Sequence, residues 1–261
     1  MPSTYAHYRF GKEVYKLLPA SLREEIAYSS ALYKIGLHGP DLLFYYKALY
    51  PNEISSVGFR MHEVSANIFF GGAAEVVKTR NQLAYIIGFI CHFVLDSECH
   101  GYIEKYIQAK GVSHTEIEVE FDRMLMIKDG YNPVVHPLTD HIYADIGIAR
   151  VIHTFFPGIE AKKLAKALRS MKFYNALLIA PNKLKRNLIY AILKITGNEK
   201  EMHGLVVNPK GNPKCRKSCE RLMELYENAV PTALELIEDY METLQNGKEL
   251  NQRFYRTFGA E

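Results

Sequence analysis

The stretch "FICHFVLDSECHGY", Phe89–Tyr102, decides the fold of this chain. It is largely apolar, yet His92, Asp96 and His100 follow one another at intervals of four residues. Successive residues of an α-helix are about 100° apart, so these three side chains share one helix face while Phe93 and its neighbours point elsewhere. A buried aspartate is almost never left unpaired. The stretch therefore predicts a buried helix whose polar face holds a cation.

The helical pattern continues on both sides of this stretch. Apolar residues recur at spacings of three and four, and alternating runs typical of strands are scarce. We expect one long helix from near Thr79 to just before Gly111. Ser113 should cap the next helix, with Glu116 completing a capping box.

Turn and cap residues predict the remaining helix boundaries. Pro19–Ser21 separates two helices, and Gly39–Asp41 opens another. Asn52 is expected to cap a helix that runs towards Phe70, with Gly71–Gly72 as an interruption. Further helices are expected at about 138–155, 160–180, 183–196 and 214–246.

The helical periodicity and the turn residues indicate one all-α, compact multi-helix domain over residues 1–261, with the metal site between helices. The metal-site half is expected at about 1–130 and a half devoted to helix packing at about 131–261. About half of the residues are apolar, and the formal net charge is +3. Such mild charge is not typical of a dedicated duplex DNA binder. Four cysteines in a chain of this length predict free thiols, not a disulfide framework.

The N-terminal sequence has no basic segment followed by an apolar one, so we expect no secretory signal. The most apolar window, Ala84–Leu95, is shorter than the roughly 20 residues of a membrane span. The sequence therefore predicts a soluble, cytoplasmic protein.

A second polar pair follows the first helix. His114 and Glu118 are four residues apart, and Lys110–Gly111 provides a turn that lets two helices run antiparallel. A single histidine on a helix is ordinarily a hydrogen-bonded core residue. Two facing sets of histidines and carboxylates instead predict a metal site, because imidazole nitrogen and carboxylate oxygen are natural zinc ligands.

Other polar residues are less specific. Taken singly, His7, Asp41 and His62 are explained by capping or by solvent exposure, and the dipole of a helix N-terminus favours a carboxylate such as Asp41. Cys215 and Cys219 share a helix face but are expected to stay free. The remaining histidines follow no ligand spacing and are expected at the surface: His136, His141, His153 and His203.

Taken in order, these residues resemble the zinc-dependent phospholipase C family, which is related to the fungal single-strand nucleases. The resemblance extends over roughly the first 120 residues, and its specific part is the H-x3-D…H…H-x3-E pattern. It implies an all-α protein with a cluster of up to three zinc ions in a cleft. The matching positions are His7, Asp41, His62, His92, Asp96, His100, His114 and Glu118.

The resemblance implies a role for each position. His62, His92 and Asp96 would hold one zinc ion, with Asp41 beside it. Asp96 would also bridge to a third zinc ion, which His7 would bind.

The other three ligands, His100, His114 and Glu118, would hold the second zinc ion. Asp41 would be the general base, or a ligand that orients the attacking water. Paired zinc ions lower the pKa of bound water, and a nearby carboxylate takes its proton.

The chain departs from the family pattern in two places. In the family an N-terminal tryptophan completes the third zinc site, whereas this chain has no tryptophan and begins Met1-Pro2-Ser3. The interval from Asp96 to His100 is also slightly shorter than in the family pattern. We therefore expect two or three zinc ions.

The resemblance implies hydrolysis of a phosphodiester, with a phospholipid as substrate and peripheral contact with a membrane. Phe59, three residues before His62, could line a headgroup pocket, although core packing also explains it. Two alternatives stay open: a nuclease or phosphomonoesterase with the same zinc site, and a metal-binding helical protein without catalysis. A basic groove would favour the nuclease, and Lys183, Lys185 and Arg186 form a small basic cluster that a solvated helix face also explains.

Overall fold

The computed structural model describes residues 4–195, 197 and 203–259 of the chain. Within these ranges the chain is helical and forms no β-strand, which confirms the all-α prediction. The α-helices are α1 (Thr4–Leu17), α2 (Ala20–Tyr28), α3 (Ser30–Gly36), α4 (Glu53–Glu63), α5 (Asn67–Val76), α6 (Arg80–Lys110), α7 (His114–Lys128), α8 (Ile146–His153), α9 (Ala161–Leu178), α10 (Lys183–Ile195) and α11 (Arg216–Asn246). Short 3-10 helices cover Gly39–Tyr45, His203–Leu205, Pro213–Cys215 and Gln252–Tyr255.

Helix α6 is the centre of the fold, and its predicted ends are confirmed. Thr79 and Gln82 form a reciprocal capping box at its start, and Gly111 ends it with a left-handed φ of 63°. By length and composition α6 could cross a bilayer, but 83% of its apolar window is buried inside the protein. It is therefore the core helix of a globular fold, and the cytoplasmic location stays a prediction.

Helix α3 lies unusually close to α6, and two glycines permit this. A Cβ atom on Gly36 would lie 2.2 Å from the carbonyl oxygen of Tyr85. A Cβ atom on Gly88 would lie 2.2 Å from the carbonyl oxygen of Tyr33. The backbones of the two helices thus touch, which fixes the chain that leads from α3 into the 3-10 helix Gly39–Tyr45.

The predicted helix from Asn52 towards Phe70 is wrong. Asn52 does cap α4, but α4 ends at Glu63, and α5 then runs through Gly71–Gly72 without a break. The C-terminal segment causes the interruption, because the amide of Ala66 donates to the carbonyl of Arg256 (2.9 Å). A contact over 190 residues of sequence is invisible to local periodicity.

The predicted helix at 138–155 is wrong in its first half, since α8 begins only at Ile146. The side chain of Asp145 caps it. The preceding residues form a loop whose carbonyl groups bind a distant lysine: Lys172 Nζ donates to Thr139 (3.0 Å) and Ile142 (2.8 Å). The predicted boundaries of α9, α10 and α11 agree with the structure within two residues.

At the start of α7, Ser113 is the N-cap, as predicted, and its hydroxyl accepts a hydrogen bond from the amide of Glu116 (3.2 Å). The capping box is incomplete. The carboxylate of Glu116 instead accepts from Asn212 Nδ2 (2.7 Å), which ties α7 to the segment before α11.

One large core joins the two halves of the sequence. Phe10 of α1, Phe89 of α6 and Tyr240 of α11 belong to the same buried cluster, and so does Phe258 near the C-terminus. All four cysteines are buried and free, as predicted. The assignment of residues 1–261 to a single domain stays a prediction.

Candidate metal centre

Eight polar side chains from five helices converge beside the middle of α6. They form three groups, in each of which the potential ligand atoms lie within 4.8 Å of one another. The groups are His7/His92/Asp96, Asp41/His62/His92 and His100/His114/Glu118. The structure thus brings together every residue that the sequence singled out as a metal ligand.

Asp96 lies at the middle of the arrangement. Its Oδ1 is 3.1 Å from His7 Nε2, and its Oδ2 is 3.0 Å from His92 Nε2 and 3.7 Å from His62 Nε2. Burial would raise the pKa of Asp96, but the surrounding imidazoles, first His92 and His100, hold it well below its usual value. Asp96 is therefore an ionised carboxylate that belongs to one group, with His7 and His92, and also approaches His62 of the neighbouring group.

The third group connects α6 to α7 across the turn at Gly111. Glu118 Oε1 lies 3.1 Å from His114 Nε2 and 3.5 Å from His100 Nε2. Burial would raise the pKa of Glu118, but His114 and His100 hold it well below its usual value. Within α6, His100 therefore faces α7, whereas His92 faces the N-terminal half of the chain.

Two histidines are oriented by backbone carbonyl groups. His62 Nδ1 donates to the carbonyl of Gly58 (2.8 Å), and His100 Nδ1 donates to that of Phe258 (3.1 Å). Because a carbonyl only accepts, Nδ1 carries the proton and Nε2 faces the carboxylates. This is the usual support of a metal-binding histidine, whose second nitrogen is held by an outer hydrogen bond.

Protons balance the negative charge in the absence of a metal. Burial lowers the pKa of His62, but Asp41 and Asp96 outweigh it and raise the pKa to about 10. In the same way, burial is outweighed at His100 by Asp96 and Glu118, and the pKa rises to about 9. Burial and His92 lower the pKa of His7. The centre is thus built to hold positive charge, which a metal ion would supply in place of protons.

Unpartnered buried atoms concentrate at the same place. In the described residues, seven buried side-chain nitrogen or oxygen atoms have no hydrogen-bond partner, and five of them belong to these histidines and Asp41. His92 Nε2 and His114 Nε2 lie close to a carboxylate oxygen but out of line for a hydrogen bond. Close approach without hydrogen-bond geometry is expected of atoms that ligate a common ion. The residues therefore fit zinc, which takes imidazole and carboxylate ligands.

A cavity of about 20 Å³ lies between α6 and α7. His7, Asp96, His100 and Glu118 contribute its polar lining. A volume of this size holds about one water molecule or one ion.

Asp41 reaches the centre through a turn that requires glycine. Gly39 has φ of +46°, and a Cβ atom there would lie 2.2 Å from the ring of His92, so only glycine fits. Asp41 Oδ1 then lies 3.2 Å from His62 Nε2. Burial would raise the pKa of Asp41, but the imidazoles of His62 and His92 lower it, so the carboxylate stays ionised.

Asp122 is a positioning residue that we did not predict. Its carboxylate accepts hydrogen bonds from the amides of Tyr5 (3.0 Å) and Ala6 (2.8 Å), the first turn of α1, and so places His7. Asp122 follows Glu118 at an interval of four residues, so the i,i+4 series could have revealed it. The carbonyl of Phe258, which orients His100, could not have been found from any spacing in the sequence.

Phe59 is not a core residue, because its side chain is exposed on α4. Its ring lies 4.4 Å from that of Phe44, which in turn lies 5.4 Å from His62. These two aromatic rings lead from the surface to the metal centre. A role of Phe59 in substrate binding stays a prediction.

An apolar pocket of about 400 Å³, which we did not predict, lies behind the centre between α4, α5 and the loop after α8. Phe69, Phe155 and Phe156 line it, and its charged residues are Glu53, Arg60 and Lys163. Phe258 forms a common wall, since it lines the pocket and its ring lies 5.7 Å from that of His62.

The prediction that His141 lies at the surface is wrong. It is buried, stacks on Tyr8 and lies with its Nε2 2.8 Å from that of His38. The loop before α8 folds inward there, which no spacing rule reveals. The side chain of His203 and the N-terminal Met1–Ser3 lie outside the described residues.

The family model described as "Zinc dependent phospholipase C" matches residues 6–156 of the chain. The matched range includes all eight side chains of the metal centre and Phe59. Neither the curated proteins nor the solved structures contain a significant match.

Proposed function

The chain belongs to the zinc-dependent phospholipase C family, and we propose that it is a zinc-dependent hydrolase that cleaves the phosphodiester of a phospholipid headgroup. The observation that carries this proposal is the position of Asp96, whose two oxygens lie 3.1 Å from His7, 3.0 Å from His92 and 3.7 Å from His62, next to two neighbouring ligand groups that have His92 in common. A carboxylate in this position would help to hold two neighbouring metal ions, and paired metal ions would stabilise the attacking and the leaving oxygen of a phosphodiester.

In this proposal the ligands of the centre would hold two or three zinc ions. His62, His92 and Asp96, with Asp41 beside them, would hold the first. His100, His114 and Glu118 would hold the second. His7 and Asp96 would contribute to a third site.

Bound zinc would supply a nucleophilic water at neutral pH and neutralise the phosphoryl oxygens. Asp41 would take the proton of that water, because it is an ionised carboxylate at the centre whose Oδ1 approaches His62 without forming a hydrogen bond. Gly58 and Phe258 would hold His62 and His100 in the orientation that presents Nε2. No covalent nucleophile is required.

Two features support a lipid substrate over a nucleic acid. The apolar pocket behind Phe258 suits aliphatic chains, and Phe59 is exposed near the centre, where it could contact a headgroup cation. The basic cluster on α10 offers less to a nucleic acid, because Lys185 donates to the carbonyl of Ile179 and Arg186 to that of Ala180.

The test is Asp41→Asn, with Asp140→Asn, an exposed loop residue, as control. Asp41→Asn should keep most of the zinc and the fold but lose about two orders of magnitude or more in phosphodiester hydrolysis, the usual size of a general-base effect. Zinc content is read by mass spectrometry. Activity is read as zinc-dependent release of phosphocholine from phosphatidylcholine.

Single-stranded DNA and a phosphomonoester are assayed beside the lipid. Cleavage of DNA or of the monoester in preference to the lipid would replace the proposed substrate. Full activity of the Asp41→Asn variant would contradict the proposal that Asp41 is the general base. A zinc-loaded protein that hydrolyses none of the three would favour the metal-binding protein without catalysis.

A further inference from the structure

The basic residues of the chain are concentrated in one region outside the metal centre. Residues 161–197 contain nine of the 32 lysines and arginines and none of the 29 aspartates and glutamates. The rest of the chain is therefore net negative, although the whole chain is at +3. This region comprises α9 and α10, and its field favours an anionic partner.

Helix α10 exposes a row of aliphatic side chains. The exposed fraction is 82% for Leu184, 59% for Leu188 and 85% for Ile195. Their spacing places them within an arc of about 40° on the helix. A different face packs inward, where Ile189 and Leu193 are buried. The helix thus has one apolar face against the protein and a second in solvent.

The exposed face of α9 continues this surface. Lys162, Lys166 and Arg169 are exposed on its first half, and Phe173 and Leu177 follow on the same face of its second half. The turn between the helices is fixed by the bond from Lys185 Nζ to the carbonyl of Ile179. A basic segment therefore leads directly into the apolar one.

Exposed lysines lie along one side of the apolar arc of α10. The helical spacing places Lys183 and Lys194 on the same side of the arc, about 100–120° from its centre. Aliphatic side chains in solvent beside lysines are the pattern of a helix that lies in a membrane interface. A single-stranded nucleic acid would instead require aromatic stacking platforms along a basic groove.

We propose that the exposed faces of α9 and α10 form a docking surface for an anionic lipid bilayer. Leu184, Leu188 and Ile195 would enter the boundary between headgroups and acyl chains, while the lysines beside this arc contact lipid phosphates. Helix α9 is joined to the helix of Asp41 by the hydrogen bond from Asn175 Nδ2 to Tyr45 Oη (3.1 Å). This inference goes beyond the proposed hydrolysis and does not require it.

The absence of tryptophan from the chain allows a direct test. Leu188→Trp places a single fluorescent reporter in the apolar arc. Leu17→Trp is the matched control, because Leu17 is 60% exposed and also lies on a helix. Each full-length, zinc-loaded variant is mixed with vesicles of phosphatidylcholine alone or with added phosphatidylglycerol.

We expect the emission of Leu188→Trp to shift to shorter wavelength on the anionic vesicles, and that of Leu17→Trp to stay unchanged. In sedimentation with the same vesicles, the affinity of the double variant Leu184→Glu/Leu188→Glu should be lower by about tenfold or more. Leu17→Glu should bind with the affinity of the natural chain. Lys183→Gln/Lys194→Gln should weaken binding, whereas Lys217→Gln on α11 should not.

The proposal is overturned if the natural chain binds neither kind of vesicle, or if the Leu184/Leu188 variant binds as well as the natural chain. It is also overturned if single-stranded DNA shifts the emission of Leu188→Trp and vesicles do not. Fluorescence and sedimentation measure binding directly and do not depend on hydrolysis of the lipid. Both measurements are repeated after a chelator has removed the zinc. Failure of the docking surface is therefore distinguishable from failure of the proposed hydrolase function.

Discussion

Helices α6 and α10 break the ordinary rule of burial in opposite directions. Helix α6 is buried but carries His92, Asp96 and His100 in its interior, whereas α10 is at the surface and exposes Leu184 and Leu188. Each arrangement costs free energy in the free protein, because buried charge loses water and exposed aliphatic groups order it. The comparison teaches that such deviations mark binding: a cation compensates the first, and we propose that a lipid surface compensates the second.

The largest effect is expected where α6 deviates most. Asp96→Asn should remove metal from the two groups that Asp96 joins and abolish hydrolysis, because an amide neither bridges two cations nor balances their charge. The group formed by His100, His114 and Glu118 should keep its ion. Zinc content by mass spectrometry and the phosphocholine assay check this. Glu120→Gln is the control, because Glu120 is a buried carboxyl on the same helix as Glu118. Retention of the full zinc content by Asp96→Asn would contradict the bridging role.

His114→Ala addresses the other end of α6. It should empty the third group and lower the melting temperature of the zinc-loaded protein, because metal binding is coupled to folding. For a chain of this size, each kcal/mol lost lowers the melting temperature by roughly 2–4 °C. His153→Ala removes a half-buried histidine of α8 that is hydrogen-bonded to the carbonyl of Ile159 (2.8 Å), and it should leave the zinc content unchanged. Unchanged zinc content in His114→Ala would exclude it as a ligand.

Zinc affinity should depend on pH in a defined direction. The raised pKa values of His62 and His100, about 10 and about 9, mean that both are protonated in the metal-free protein at neutral pH. Zinc must displace these protons, so the affinity should rise as the pH is raised from 6 to 8. The change is about tenfold per pH unit for each displaced proton. Calorimetry in buffers of different ionisation enthalpy counts the protons released, and a pH-independent affinity would contradict the assignment.

The smallest effect on the free energy of unfolding is expected for α10, and it distinguishes the exposed face of α10 from the packed interior of α6. Ile195→Ala on α10 should change the free energy of unfolding by no more than about 0.5 kcal/mol, because the side chain is mostly in solvent. Ile90→Ala, at a fully buried position of α6, should cost about 2–5 kcal/mol. Urea unfolding of the metal-free protein measures both. A large loss of unfolding free energy in Ile195→Ala would mean that the aliphatic row of α10 is packed against the protein, so that α10 would not differ from α6.

Local patterns were sufficient wherever the cause of structure is local. The ends of α6 follow from the capping box at Thr79 and the left-handed turn at Gly111, which depend on residues a few positions apart. The break between α4 and α5 depends instead on hydrogen bonds to the C-terminal segment, so the predicted continuous helix was wrong. The burial of His141 depends in the same way on a loop that folds against Tyr8 and His38.

The sequence by itself determined the all-α class and five side chains of the metal centre, because residue type and i,i+4 spacing fix which groups share a helix face. The remaining three, His7, Asp41 and His62, were predicted only from the resemblance to the family. Only the tertiary structure decided how the side chains of the metal centre divide into three groups. The distances between side chains on different helices depend on how closely the helices pack, and Gly36, Gly39 and Gly88 permit that close packing. The apolar row on α10 was present in the sequence, but a helical repeat of leucines reads the same whether it is buried or exposed. Burial is a property of the whole fold, and so the exposed face appears only in three dimensions.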